Sequence, residues 1–407
     1  MDLMIMNKDT VVAVYENDNL TILNPDLAPY YIVRTHDVES WLSERAIDSH
    51  RPNSRLLKKA LRLAQKDDIS TVISVNAATI TDTYWVKDKN STQTYDDIRF
   101  NDDYFAELAL TGSYDSFNKV AFSDSKRTPE LTNIGSYEKC WRLIDNQWFM
   151  YKTSNDNEMF SELFAYVLGK RLNMNMAEYK ASDGCVVTKD FTNSASVIFE
   201  PMHSYVGDEE DYSYNLNIIK KLCPEAVEDY VRMIFLDTVI ANPDRHTYNY
   251  GFIRDVDNGK IIGLAPNFDN NLSLISRGYP KYIERKKDIL VDLFVELIQQ
   301  NPKLVKYIPV LKREIVRKCA EQVQVDVDKA FVVNYVMNGY NNIVQKLDYK
   351  YIAVDELVFS KLPNNIKDGL SFIKENSDYI IRVQAKDYTA LENTINSIGR
   401  SKPRNLK

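Results

Sequence analysis

The stretch "ANPDRHTYNYG", residues 241–251, puts an aspartate, an arginine, one of the chain's four histidines and two asparagines just where a helical pattern stops. Upstream, "PEAVEDYVRMIFLDTVIA" sets Val227, Val231, Ile234, Phe235 and Leu236 at helical spacing. Pro243 prevents simple continuation, because it lacks an N–H and its ring clashes with the preceding turn. The polar stretch is therefore read as a loop. Downstream, "YNYGFIRDVDNGKIIGLAPNFDNN" reads as two strands joined through Asp257, Asn258 and Gly259, a hairpin signal. With the turn there, Asn249 and Asp269 are expected to emerge at one end of the hairpin, within approach of Asp244. Two carboxylates and a carboxamide are hard oxygen donors of the kind magnesium takes together with substrate phosphates. The spacing points to phosphoryl transfer.

Kinases of the protein-kinase type carry a catalytic aspartate a few residues before a metal-binding asparagine, with a second metal-binding aspartate further on. Asp244 and Asn249 stand five positions apart, and Asp269 fits the later place. Such a site also needs a strand lysine for the nucleotide phosphates and a helix carboxylate to orient it. "KCWRLI" and "QWFMYK" flank Asp145 and Asn146 as a hairpin would, so Lys152 closes the second strand. Then "NEMFSELFAYVLGKRL" aligns Phe160, Leu163, Phe164, Val167, Leu168 and Leu172 on a helical stripe, with Glu162 near its first turns. Each residue also has an ordinary structural reading. Asp244 and Asp269 could turn the chain, Asn249 could cap the hairpin, and Lys152 and Glu162 could be a surface pair. Arg245 and His246 are read as braces of the loop, Arg245 through a carboxylate partner.

"NPDRHTYNYG" followed by "LAPNFD" resembles the N-x-D-R-H-x-x-N-x-G and later Pro-x-aromatic-Asp motifs of the HipA-like serine/threonine kinases, through Asn242, Asp244, Arg245, His246, Asn249, Gly251, Pro266 and Asp269. "TNIGSYEKCW" is similar to that family's phosphate loop, with Gly135, Ser136 and Lys139 in register, and "MYKTS" to the strand of the nucleotide lysine. "SELFAYVLGKRLNM" resembles the helix that follows, through Glu162, Ala165, Leu168 and Gly169, and "SVIFEPM" the hinge strand. The resemblance implies an α+β, two-lobed protein-kinase-like fold with a small β-rich N-lobe and a mostly helical C-lobe, preceded by an extra N-terminal α+β unit. The corresponding ranges are 1–118 for the extra unit, 119–205 for the N-lobe and 206–407 for the C-lobe.

The implied ligands are ATP and Mg2+. Asp244 would be the base, Asn249 and Asp269 the metal ligands, Lys152 the phosphate lysine and Glu162 its orienter. Gly135, Ser136 and Lys139 would form the phosphate loop, with Glu200 and nearby backbone at the adenine. The implied partners are a protein substrate with a Ser/Thr acceptor and an antitoxin-like protein. Thr132 matches the family's self-phosphorylated serine. Tyr137 stands where the family often has glutamine, the loop keeps only one glycine, and Asn270 and Asn271 follow Asp269. Two other readings stay open, a small-molecule or lipid phosphotransferase on the same fold and a nucleotide-sensing protein without catalysis.

The remaining sequence sets bounds. A length of 407 residues fits two to three domains of about 150. A formal charge of -7 gives no overall field for nucleic acid or an anionic membrane, so neither partner is expected, although "KYIERKKD" and "GRSKPRNLK" are locally basic. Cys140, Cys185, Cys223 and Cys319 are too scattered for a disulfide framework, and no apolar run suits a signal peptide or membrane span, which together predict a cytoplasmic chain. In the first hundred residues "TVVAVY" and "YYIVRT" read as strands, and Trp41, Tyr84 and Trp85 as packing aromatics. The polar stretch Ser113 to Arg127 reads as a linker, and the last third as mostly helical.

Overall fold

The computed structural model describes residues 1–64, 67–121, 127–368, 370–375, 378–398 and 404–405. Two compact units emerge: Met1–Met159, Met176–Glu209 and His246–Phe268 make the first, and Phe160–Asn175, Glu210–Arg245 and Asp269–Lys407 the second.

In the first unit, strands β1 (Leu3–Asn7), β2 (Thr10–Glu16), β3 (Asn19–Ile22) and β4 (Tyr84–Lys87) form an antiparallel sheet in the order β3-β2-β1-β4. "TVVAVY" lies in β2, but "YYIVRT" is the helix Tyr30–Thr35. Pro29 fixes the backbone at its start, and Tyr31 and Ile32 are both buried, a neighbouring pair that strand alternation would split. Trp41, Tyr84 and Trp85 are buried, as read.

Strands β5 (Lys139–Ile144), β6 (Gln147–Thr153), β7 (Tyr179–Ser182) and β8 (Cys185–Lys189) make a second antiparallel sheet in the order β5-β6-β8-β7. Asp145 and Asn146, with φ of 50° and 60°, form the tight turn between β5 and β6, the left-handed geometry that Asn and Asp tolerate. Alternation then divides the sheet. Cys140, Phe149, Tyr151, Cys185 and Val187 enter one core with Leu57, Ala60, Leu108, Val120 and Leu131, whereas Lys139, Trp141, Trp148, Met150 and Lys152 occupy the alternate positions. Val120 belongs to the helix Tyr114–Ala121, which forms inside the stretch read as a linker; residues 122–126 of that stretch lie outside the described residues. Its polar composition hid two apolar side chains, Phe117 and Val120, three apart on one helical face.

Strands β9 (Val197–Pro201), β10 (Gly251–Asp255) and β11 (Ile261–Leu264) complete the first unit as a sheet ordered β11-β10-β9. The expected hairpin is β10 and β11, with Gly259 at φ 70° in its turn.

The second unit is largely helical up to Lys346, through Tyr212–Leu222, Val227–Ile240, Ile289–Gln300, Arg313–Gln322 and Lys329–Lys346. It also receives most of the helix Asp156–Arg171. It ends in a sheet that the helical reading did not find: β12 (Tyr349–Asp355), β13 (Ser371–Glu375), β14 (Asp378–Gln384) and β15 (Arg404–Asn405), ordered β13-β14-β12-β15. Ile352, Val354, Ile381 and Val383 alternate into its core against Leu391 and Ile395 of the helix Ala385–Ile398. The fold is thus α+β with small antiparallel sheets. A lysine-bearing strand, a glutamate-bearing helix, an edge strand, helices, a polar loop and a hairpin follow in the order a protein-kinase-like chain requires. All four cysteines are free and buried. No helix among the described residues is long and apolar enough to cross a membrane.

Candidate active site

In the second unit the candidate residues are tied into one knot. The helix Val227–Ile240 ends at Ala241, whose φ of 52° turns the chain. Its Asp237 accepts two bonds from Arg245, Nε to Oδ2 at 2.9 Å and Nη2 to Oδ1 at 3.0 Å. This is the bidentate fork that suits a guanidinium and a carboxylate. Asp237 Oδ1 also accepts from Asn242 Nδ2 at 2.8 Å, and Asn242 Oδ1 accepts the Asp244 N–H at 3.1 Å. The backbone of Asp244 is thereby fixed through Asn242 to the helix, with its side chain half-buried.

Arg245 reaches further, donating from Nη2 to Asn270 Oδ1 at 2.8 Å. Asn270 follows Asp269, which takes the left-handed φ of 60°. Its N–H donates to both oxygens of Glu162, at 2.9 and 3.0 Å, and its Nδ2 to Glu162 Oε1 at 3.2 Å. Ser161 Oγ donates to the Ser273 carbonyl at 2.9 Å, and the Leu274 N–H to the Ile240 carbonyl at 2.9 Å. Burial alone would lower the Arg245 pKa, but Asp237 outweighs it, helped by Asp269 and Glu162, and the guanidinium is held above its ordinary value. Glu162, Asp244 and Asp269 thus join one bonded framework. Asp237, absent from the sequence reading, is its centre; its signal was one carboxylate inside the apolar run "IFLDTVIA".

The first unit holds the remaining candidates. Lys139 and Lys152 lie opposite each other on β5 and β6, both half-buried. Opposed positions put their side chains on one face, and like charges so placed repel. Gly135, at φ 103°, brings the preceding loop against them: a Cβ there would lie 2.7 Å from Lys139 Nζ. Ser136 beside it is exposed. Lys152 Nζ sits 4.4 Å from the centroid of the Tyr137 ring, and the Tyr137 hydroxyl donates to Glu158 at 3.1 Å. The loop is anchored from behind: Glu130 accepts the Trp141 N–H at 2.7 Å and Asn133 Nδ2 at 2.9 Å, and Arg51 donates to the Asn133 carbonyl at 3.2 Å. Thr132 is buried in that anchor, its hydroxyl donating to the Ala78 carbonyl at 2.6 Å.

Glu200 lies on β9 as a buried carboxylate. It accepts from Arg254 at 2.6 Å, from the Tyr205 hydroxyl at 3.1 Å and from the Tyr30 N–H at 2.5 Å. Burial opposes the charge on Arg254, yet Glu200, with Tyr84 and Tyr205, raises its pKa above the ordinary value. The carboxylate expected at the adenine is therefore engaged inside the protein. Gly251 is required opposite it, since a Cβ would lie 2.1 Å from the Glu200 carbonyl oxygen. Asn249 is buried, with its N–H donating to the His246 carbonyl at 2.9 Å, and His246 Nδ1 accepts the Tyr248 N–H at 3.3 Å.

The sequence matches no family model and no curated protein. Among solved structures, the chain is similar to HipA of Shewanella oneidensis MR-1, seen in a toxin-antitoxin complex with HipB and operator DNA. That likeness has 12% identity and a TM-score of 0.48, and covers 84% of this chain and 97% of that one. It is also similar to the proinflammatory kinase CtkA of Helicobacter pylori, with 17% identity and a TM-score of 0.39 over 51% of this chain and 92% of that one.

Proposed function

We propose that this chain is a HipA-like kinase that uses ATP and Mg2+ to phosphorylate a serine or threonine hydroxyl on a protein. The observation that carries the reading is the knot of the second unit, where Glu162, Asn270 beside Asp269, Arg245, Asp237 and Asn242 fix the backbone of Asp244. Three sequence-distant segments, at Glu162, 237–245 and 269–270, are held by bonds between polar groups that a purely structural helix packing would not need. Support for a triphosphate comes from the first unit, where two lysines lie opposed on one face of a sheet beside Gly135, whose φ of 103° and missing Cβ let the loop backbone come close, as in a phosphate loop.

Bound magnesium ATP supplies the phosphoryl group and an electrophilic phosphorus. On this reading Lys152 and Lys139 would hold the phosphates by charge-assisted bonds, and Asn249 and Asp269 would be the oxygen donors to the cation. Asp244 orients the acceptor hydroxyl and takes up its proton. Glu162 fixes the backbone next to Asp269. Incubation with γ-labelled ATP tests the reading: label in polypeptide is expected, whereas label only in small metabolites would favour a small-molecule phosphotransferase. Asp244→Ala is expected to lower transfer by about two to three orders of magnitude, ~3 to 4 kcal/mol of barrier, with nucleotide binding retained. Unchanged transfer would overturn the assignment.

A further inference from the structure

The segment after the Asp269 knot, "SRGYPKYIERKKD" at residues 276–288, exposes Arg277, Lys281, Lys286 and Lys287 against one exposed carboxylate, Glu284, on a chain of formal charge -7. A cationic run is commonly a solvated face. This one is distinguished by its attachment. Arg285 turns inward and is buried, donating to the Val239 carbonyl at 2.7 Å, the Thr238 carbonyl at 2.5 Å and Asp288 at 2.7 Å, with its guanidinium 4.7 Å over the Tyr335 ring. Those carbonyls close the helix Val227–Ile240, where the helix dipole favours a cation, and the same helix runs into the Asp244 loop.

From the other side, the helix Lys329–Lys346 presents Asn338 to the Ile283 carbonyl at 2.9 Å and Asn342 to the carbonyls of Glu284 and Arg285 at 2.9 and 2.8 Å. Gly339 stands between them because a Cβ would come within 2.2 Å of Arg285 Nη1. Tyr279 is tied as well, its hydroxyl accepting the Asp328 N–H at 2.7 Å. Side-chain bonds from that helix therefore hold the carbonyls of 283–285, with the buried Arg285 side chain between them, and none of these anchoring bonds involves Lys281, Lys286 or Lys287. Their charge is left to the surface, beside Tyr282, which is 84% exposed.

We infer that this rim docks an acidic segment of a polypeptide, which on the kinase reading above is the acceptor substrate. Four exposed cations, two of them next to the anchored Arg285, complement a short run of carboxylates. A nucleic acid presents about one charge per 1.7 Å of duplex and would run past the rim onto a protein of negative net charge.

The test uses the full chain and two fluorescein-labelled serine peptides, one flanked by Asp and Glu and the other by Lys, with anisotropy as the readout. The acidic peptide is expected to bind, with affinity falling as salt rises. The variant Lys281→Glu/Lys286→Glu/Lys287→Glu should weaken it about tenfold, and the corresponding Gln variant by less. Equal binding of the two peptides, or no effect of charge reversal, overturns the rim. Single-stranded RNA that outcompetes the acidic peptide and is lost in the same variant also overturns it. Binding needs no turnover, so Asp244→Ala must retain it. Acidic peptide that binds but takes no label from ATP supports the rim and removes the kinase reading.

Discussion

The Asp237–Arg245 pair and the Lys139–Lys152 pair each set two charges side by side, and they differ in sign and surroundings. The side chains of Asp237 and Arg245 are 1% and 2% exposed, and their opposite charges meet in two bonds of 2.9 and 3.0 Å. Lys139 and Lys152 are half-buried, opposed across antiparallel strands and equal in charge. The first pair neutralises itself, and its bonds to Asn242 and Asn270 spend that stability on holding a loop. The second places like charges on one face of its sheet. One pair is bonded within the protein; the other is, on the proposed reading, where phosphates would bind. Mutations in the first should be read in folding stability, and mutations in the second in affinity.

The largest break comes from Asp237→Ala. It leaves Arg245 buried without its carboxylate, and removal of one partner of a buried pair costs about 3 to 5 kcal/mol. Chemical denaturation should show that loss, and a change below ~1 kcal/mol would mean that the pair does not hold the loop. Lys139→Met tests the other side. Removing one of two opposed ammoniums should change folding stability by less than ~1 kcal/mol. Affinity for ATP should fall about tenfold or more, since a bond to a charged group contributes ~1.5 to 3 kcal/mol. Calorimetric titration with nucleotide, beside a melt of each protein, separates the two effects.

The same contrast explains what the sequence could reveal. Helices with an apolar stripe, such as Asp156–Arg171 and Val227–Ile240, and the turns at Asp145–Asn146 and Asp257–Gly259 depend on neighbours in sequence, so pattern reading finds them. That Arg245 needs a carboxylate was legible from its chemistry, but the choice of Asp237 was not, because an aspartate in an apolar run looks like an interruption of the core. Glu162 was singled out as an orienter of Lys152. Its bonds to Asn270 depend on the chain returning over a hundred residues later, which no local signal announces. Thr132 stood out by register with a family motif, yet its hydroxyl is held by the Ala78 carbonyl, from the region whose role the motifs left blank. Phosphorylation there would first require that turn to open. The sheet formed by β12 to β15 escaped because helices separate β12 from its partners in sequence and the alternation of Ile352 and Val354 places only two apolar residues inward on that strand.

Tyr137 offers the smallest and sharpest probe, because it belongs to the proposed phosphate loop and touches both a candidate phosphate ligand and a helix start. Its ring lies 4.4 Å from Lys152 Nζ, and its hydroxyl donates to Glu158 at 3.1 Å. Glu158 in turn exchanges bonds with Asn155, accepting that residue's N–H at 3.2 Å and donating its own N–H to Asn155 Oδ1 at 3.0 Å. This reciprocal pair satisfies backbone groups at the helix N-terminus. Tyr137 therefore positions the lysine with its ring and ties the loop with its hydroxyl. Tyr137→Phe keeps the first contact and loses the second, whereas Tyr137→Ala loses both. The ring contact is worth ~0.5 to 1 kcal/mol at a partly exposed site, so Ala should weaken ATP binding about two- to fivefold beyond Phe. Equal affinities in the two variants would assign the whole effect to the hydroxyl and remove the ring from Lys152's support. Tighter binding in Tyr137→Ala would mean that the ring competes with phosphate for the ammonium and opposes binding instead of supporting it.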